Sequence, residues 1–243
     1  MFFVPKEQIN DDIIEILGDD AYHIARSLRM AVGDRIEIAD GEGSIFDCAL
    51  TEIRDERCLS QIRSAREASS EPPAKITLFM AYPKGDKLEV VIQKAVELGA
   101  SVIVPFESER CIKRPSADKL DKRLERLNRI AKEAAKQCGR ARLPEVLAPV
   151  SFEGMLSAAR ECELSLFCYE GRDAKSLKAT LSELGGVPKT ISVTVGCEGG
   201  FSEKEARAAA DRGLVSVNLG PRILRCETAP AYALSALSYH FEL

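Results

Sequence analysis

Thr190-Ile191-Ser192-Val193-Thr194-Val195-Gly196-Cys197-Glu198-Gly199-Gly200-Phe201-Ser202-Glu203-Lys204-Glu205 changes its periodicity partway along. The β-branched run predicts a strand over 190–196, and Ser202 with Glu205 reads as a capping box that starts a helix. A strand, a glycine-rich turn and a capped helix in succession form the repeating unit of an α/β domain. Working outward, further strands are predicted over 76–82, 101–106, 164–169 and 215–219, with helices between most of them and a last helix over 228–240. Gly99 closes the helix LEVVIQKAVELG as a C-cap. This alternation predicts a mainly parallel sheet.

Upstream the pattern differs. Within residues 1–66, FFV, DIIEIL, RIEIAD, SIFDCALTEI and CLSQIRSA read as strands, Gly41 and Gly43 as a turn, and 19–29 as a helical insert, which together predict a small barrel. EASSEPPA (67–74) reads as a linker, since two prolines and small polar residues neither pack nor continue a strand. Charge divides at the same place: residues 1–72 hold 8 Lys and Arg against 16 Asp and Glu, and the remainder 26 against 22. The contrast predicts two domains, 1–70 and 74–243.

Composition excludes several classes. With 45% hydrophobic and 30% charged residues over 243 positions, the chain has the material for a packed core. No apolar run approaches the roughly 20 residues a membrane span requires, and the acidic MFFVPKEQINDD lacks a signal-peptide core, so a soluble, cytoplasmic protein without membrane contact is expected. Eight cysteines occur without a C-x-x-C pair, and only His23 and His240 supply imidazoles, so reduced thiols and no metal site are expected.

Three segments carry candidate chemistry. Residues 110–142 hold 12 Lys and Arg against 4 Asp and Glu. In the helix predicted over 118–137, Leu120, Leu124, Leu127, Ala131 and Ala134 form an inward stripe, with Lys122, Arg126, Arg129 and Lys136 opposite. That basic face reads either as a solvated helix or as a phosphate-binding surface. The loop 196–202 reads either as a tight connection or as a place where backbone amides meet a ligand, and no P-loop or dinucleotide fingerprint competes with it. Leu219-Gly220-Pro221-Arg222-Ile223-Leu224-Arg225-Cys226-Glu227-Thr228-Ala229-Pro230 also joins a strand to a helix, at the strand end where open α/β sheets bind ligands. Its Arg225 and Glu227 read either as a surface ion pair or as site residues.

Together GCEGGFSEKE and LGPRILRCETA resemble the two cofactor-loop motifs of the 16S ribosomal RNA uridine N3-methyltransferases, in the SPOUT superfamily. The resemblance extends over the whole chain: His23, Leu28, Arg29, Gly33 and Asp34 match the family's N-terminal block, QKAVELG (93–99) its next helix end, and Gln137 with Arg140 the one after. The chain departs from the family's usual residues at Met1, Lys136, Cys197 and Cys226, none of which removes a Gly, Arg or Glu from the loops.

The resemblance implies a trefoil-knotted α/β methyltransferase domain behind a PUA-like β-barrel, S-adenosyl-L-methionine as donor, 16S rRNA or the small ribosomal subunit as partner, and a homodimer. It implies a cofactor site of Cys168, Tyr169, Glu170, Val195, Gly196, Glu198, Gly199, Leu219, Gly220, Ile223, Leu224, Arg225 and Thr228. His23, Arg26, Arg29, Arg110, Arg114 and Arg140 are the expected RNA contacts. Loss of the proton on uracil nitrogen 3 asks for a cation beside the developing charge, for which Arg225 is the candidate, and for a proton acceptor or substrate orienter, Glu198 or Glu227. A methyltransferase acting on a ribose hydroxyl of transfer RNA and a nonenzymatic RNA-binding or ribosome assembly factor are the competing readings.

Overall fold

The computed structural model describes residues 1–112, 120–171 and 174–243. The chain forms two compact units, Met1–Glu71 with Ala135–Leu143 and Pro72–Ala134 with Pro144–Leu243.

The first unit holds a six-stranded sheet. Its strands are β1 (Phe2–Phe3), β2 (Ile9–Asn10), β3 (Ile13–Leu17), β4 (Arg35–Ala39), β5 (Ser44–Ile53) and β6 (Arg57–Glu67), in the order β1-β4-β5-β6-β3-β2. All neighbours are antiparallel except β1 and β4. Period-two alternation sends Ile14, Ile16, Ile36 and Ile38 to the covered face, where they pack with Ile24, Leu50 and Cys58. Between β4 and β5 the Asp40 carboxylate accepts the amides of Glu42, Gly43 and Ser44 at 2.8, 3.1 and 3.0 Å. Partial burial raises its pKa, but those three donors outweigh the burial and hold it below the ordinary carboxylate value.

The helical insert is shorter than the sequence pattern predicts. Helix α1 (Gly18–Tyr22) widens into a π-type turn over His23–Ser27, where the Leu28 amide donates to the His23 carbonyl at 2.9 Å. Arg29 then sits in the left-handed region at φ 52°, which an L-residue tolerates poorly inside a helix. The expected linker is also partly structured: β6 takes in Glu67, Ser70 donates to the Gly139 carbonyl at 2.7 Å, and Glu71 is nearly buried.

In the second unit every strand pairing is parallel. Strands β7 (Lys75–Ala81), β8 (Ala100–Glu107), β11 (Leu164–Cys168), β13 (Thr190–Val195) and β14 (Val215–Asn218) form its centre. Two-residue strands β9 (Glu145–Val146), β10 (Val150–Ser151) and β12 (Lys175–Ser176) are too short for a periodicity to announce them. The order is β10-β8-β7-β13-β11-β14-β12, with β9 also on β8. Helices α2 (Lys87–Glu97), α3 (Leu120–Cys138), α4 (Phe152–Ala159), α5 (Leu177–Ser182), α6 (Glu203–Asp211) and α7 (Thr228–Phe241) complete the alternation. Leu78, Met80, Leu166, Phe167, Ile191, Val193 and Val217 are buried, as expected for strands covered on both faces.

Helix α3 buries Leu127, Ala131 and Ala134 and exposes Lys122, Arg126 and Arg129, as its periodicity predicts. Two of its expected basic contacts need correction. Lys136 does not face water: its ammonium lies 2.8 Å from Asp20 and is largely covered. Arg140, just past the helix, is 2% exposed, and its Nε and Nη2 both donate to Glu71 Oε2, at 3.2 and 2.9 Å. Glu71 Oε1 accepts the amides of Ala141 and Arg142 at 3.0 Å each. A guanidinium buried in this way is a strut of the first unit and presents no charge to phosphate, so Arg140 is removed from the expected RNA contacts.

Candidate functional site

Parallel strands bring their carboxyl ends to one edge, and the consecutive strands β7, β13, β11 and β14 each release a loop there. These loops enclose a cavity of about 770 Å³, within the usual range for small-ligand sites.

The loop after β13 doubles back on itself. The Gly200 amide donates to the Cys197 carbonyl at 2.9 Å, and Gly200 has φ 62°. A Cβ on Gly196 would lie 3.1 Å from the Gly200 Cα, so the two glycines permit an approach that side chains would block. Beneath the loop Phe201 packs on Phe167 at a centroid distance of 4.2 Å. The capping box holds the far end: Ser202 and Glu205 exchange hydrogen bonds, and buried Glu205 also accepts the Glu109 amide at 2.8 Å. Arg110 donates to the Gly199 carbonyl at 2.8 Å. The loop is thus fixed from below and from the side while its backbone faces the cavity.

After β14, Asn218 anchors its own loop through the Gly220 amide at 3.3 Å, and Gly220 turns the chain at φ 105°. Ile223, Leu224 and Arg225 then reach the cavity. Arg225 is exposed, and its guanidinium has no hydrogen-bond or ion-pair partner among the described residues.

Glu198 and Glu227 are both claimed by one cation. Lys87, at the start of α2, places its ammonium 3.0 Å from Glu198 Oε1 and 3.2 Å from Glu227 Oε2. Glu198 also accepts the Lys84 amide at 3.1 Å. Partial burial pushes the Glu198 pKa up, but its own amide, Lys87 and Lys84 outweigh it and leave the carboxyl below the ordinary value. Glu227 is lowered chiefly by its own amide, then by the Cys226 thiol, which donates to it at 3.2 Å, and by Lys87. Lys87 is raised by its bond to Glu198 and then by Glu227, against some burial. Burial and the neighbouring Glu227 push the Cys226 thiol up to about 12. At neutral pH the group is therefore two carboxylates, one ammonium and a protonated thiol.

Among the residues that the sequence offered as cofactor contacts, Cys168, Tyr169, Glu170, Val195, Gly196, Glu198, Gly199, Leu219, Ile223, Leu224 and Arg225 line this cavity. Gly220, Glu227 and Thr228 are not among the lining residues; Gly220 shapes the turn and the Thr228 amide closes it on the Arg225 carbonyl at 2.8 Å. Sequence reasoning missed Lys87. Its signal was the segment Tyr82-Pro83-Lys84-Gly85-Asp86-Lys87, a loop at the carboxyl end of a predicted strand, as are the two glycine-bearing loops.

The expected RNA contacts separate. His23, Arg26 and Arg29 are exposed in the first unit, with Arg26 Nε donating to Asp55 at 2.8 Å. Arg110 lines the cavity of the second unit, and Arg114 lies outside the described residues. Among the described residues no group of three or more His, Cys, Asp and Glu is arranged to hold a metal, and no helix is long and apolar enough to cross a membrane.

Comparison with known proteins places this geometry in a lineage. Residues 70–238 match the RNA methyltransferase domain model, and residues 16–63 match the RNA methyltransferase PUA domain model. The chain is 35% identical over 242 residues to the ribosomal RNA small subunit methyltransferase E of Bacillus subtilis, covering 98% of this chain and 94% of that protein. It is 33% identical to the protein of the same name from Synechocystis, over 97% and 76% of the two chains. The crystal structure of a ribosomal RNA small subunit methyltransferase E from Neisseria gonorrhoeae bound to S-adenosyl methionine superposes with a TM-score of 0.84 at 30% identity, covering 98% and 96% of the chains. The chain belongs to the RNA methyltransferase family, with a PUA domain ahead of its methyltransferase domain.

Proposed function

We propose that the chain transfers the methyl group of S-adenosylmethionine to ring nitrogen 3 of a uridine in 16S rRNA, in the cytoplasm. Residues 1–70 serve as the RNA-binding barrel and 74–243 as the catalytic domain, in which a trefoil knot belongs to the same reading. The relatives' names and the donor bound to the Neisseria protein support the donor and the rRNA. The uridine position rests on the wording of the two loops.

The cavity suits the donor. Its glycine walls at 196 and 199–200 offer bare backbone to a flat purine, and the lining sets Glu170, Glu198 and Glu203 against Lys87, Arg110 and Arg225, so carboxylates are at hand for a cationic sulfonium and ammonium. S-adenosylmethionine supplies a methyl group on positively charged sulfur, so the protein's task is chiefly positioning. The observation that carries the reading is an unclaimed Arg225 and an ionised Glu198 at one cavity. Arg225 meets the negative charge that develops on the uracil ring, and Glu198, kept ionised beside Lys87, accepts a hydrogen bond from the ring N–H and orients it. Glu227, which stands outside the lining, orients this arrangement through Lys87.

A homodimer through α7 belongs to the same proposal. Tyr232 and Tyr239 on that helix are 44% and 73% exposed, and Ile223 beside the cavity is 85% exposed. Light scattering at micromolar concentration should give twice the chain mass. The decisive test is methyl incorporation from labelled donor into 16S rRNA by purified protein, with the modified nucleotide mapped. Label on a ribose hydroxyl would transfer the chain to the other SPOUT chemistry, and donor binding without incorporation would favour an assembly factor.

A further inference from the structure

Lys87 belongs to neither glycine loop. It sits at the start of α2, in the connection that leaves β7, next to β13 in the sheet. Glu198 comes from the loop after β13 and Glu227 from the segment after β14, and β11 lies between those two strands. One ammonium therefore joins two loops that are not neighbours in the sheet, reaching Glu198 at 3.0 Å and Glu227 at 3.2 Å, with the Cys226 sulfur at 3.9 Å.

Removing the cation leaves two negative charges in one partly covered place. Like charges that close do not both stay ionised at their ordinary pKa; one takes up a proton or the loops that carry them separate. The remaining groups at the cluster do not replace the cation. Lys84 contributes an amide to Glu198, and the Cys226 thiol donates to Glu227. Around the cavity stand Arg110, Cys168, Tyr169, Glu170, Cys197, Glu203 and Arg225, of which Arg110 is engaged with the Gly199 carbonyl. Helix α7, which packs on α2, brings Tyr232, Tyr239 and His240 as its titratable side chains.

We propose that Lys87 is a positioning residue that locks the two ligand loops together through Glu198 and Glu227, so that affinity for the methyl donor depends on this one cation. The inference rests on the proposed donor, and its test separates the two. Calorimetry with S-adenosylmethionine would compare wild type, Lys87→Arg, Lys87→Met and Lys87→Met with Glu227→Gln between pH 5 and pH 8, each variant checked by its thermal midpoint. At pH 7.5 Lys87→Met is expected to bind on the order of tenfold more weakly. That deficit should narrow toward pH 5, as one of the unpaired carboxylates takes up a proton, and the added Glu227→Gln should recover the part of it that comes from repulsion while the bridge itself stays lost. Lys87→Arg should stay near wild type. A deficit equal at every pH, one that Glu227→Gln leaves in place, or no deficit at all overturns the proposal.

Hydrogen exchange in the ligand-free protein reads the lock without any donor. Amides of 196–201 and 220–228 should exchange faster in Lys87→Met than in wild type, and equal exchange overturns the lock. Should Lys87→Met fail to fold, Glu198→Gln with Glu227→Gln removes the same bonds from the acidic side and should also speed exchange; unchanged exchange there has the same force. If wild type binds no donor while these amides respond, the donor assignment fails and the lock stands.

Discussion

Segments 139–143 and 219–227 each set arginines close to a glycine, and the molecule uses Arg140 and Arg225 oppositely. After Gly139 the chain carries Arg140 into the first unit, where Glu71 takes the guanidinium while its second oxygen gathers two backbone amides. After Gly220 the chain leaves Arg225 exposed and without a side-chain partner among the described residues. The acids of that second site are not idle, because Lys87 holds both. At the second site Lys87 occupies Glu198 and Glu227, and the Arg225 guanidinium has no ion-pair partner among the described residues.

The largest effect that would break this comparison concerns stability. Arg140→Ala strands a nearly buried Glu71, and urea unfolding should show a loss of about 3–5 kcal/mol, the usual result of removing one partner from a buried pair. A loss below about 0.5 kcal/mol would mean that Arg140 behaves as an ordinary surface residue.

Arg225→Ala should do the reverse. Its unfolding midpoint should stay near wild type, while kcat at saturating RNA falls on the order of 100-fold, as when an oxyanion donor is lost. A rise in KM with kcat intact would make Arg225 a binding residue instead.

A smaller effect follows from the acids. Glu198 and Glu227 have folded pKa values below the ordinary value of 4.5, so each contributes stability that is present above that value and lost as pH falls through the folded pKa. The gap in thermal midpoint between wild type and Glu198→Gln should be full above about pH 5 and close toward pH 3. A gap that stays constant over that range would show that Glu198 stabilises through its shape rather than its charge.

The smallest effect distinguishes charged residues that look alike in the sequence. Arg29 and Arg129 are exposed, so replacing both with alanine should weaken RNA binding and lower the salt slope by about 2, on the order of one per phosphate contact. Arg26→Ala, whose guanidinium already has Asp55, should change the slope less than Arg29→Ala does. Equal changes would show that a surface ion pair does not withhold charge from RNA.

The five main strands of the second unit, the capping box at Ser202 and Glu205, and the two glycine-bearing loops at the cavity are legible in the amino-acid sequence. Each depends on local chemistry: β-branched runs extend, a serine three residues before a glutamate starts a helix, and glycine marks backbone that must turn or be approached. Five of the first unit's six strands are legible for the same reason, and only the two-residue β2 escapes it. The helix expected over 19–29 is too long because nothing local distinguishes an α-turn from the wider turn at His23–Ser27.

The sequence by itself therefore determined the longer strands, the caps, the division of charge and the two glycine-bearing loops, because these rest on neighbours along the chain. Tertiary structure alone decided which charges remain available. Glu71 meets Arg140 from 69 residues away, and Lys87 meets Glu227 across the sheet, so one arginine became a strut and two acids became a clamp. The physical reason is that a charged group's role is set by what lies within a few ångströms of it, and long-range pairing has no periodicity for a sequence to display.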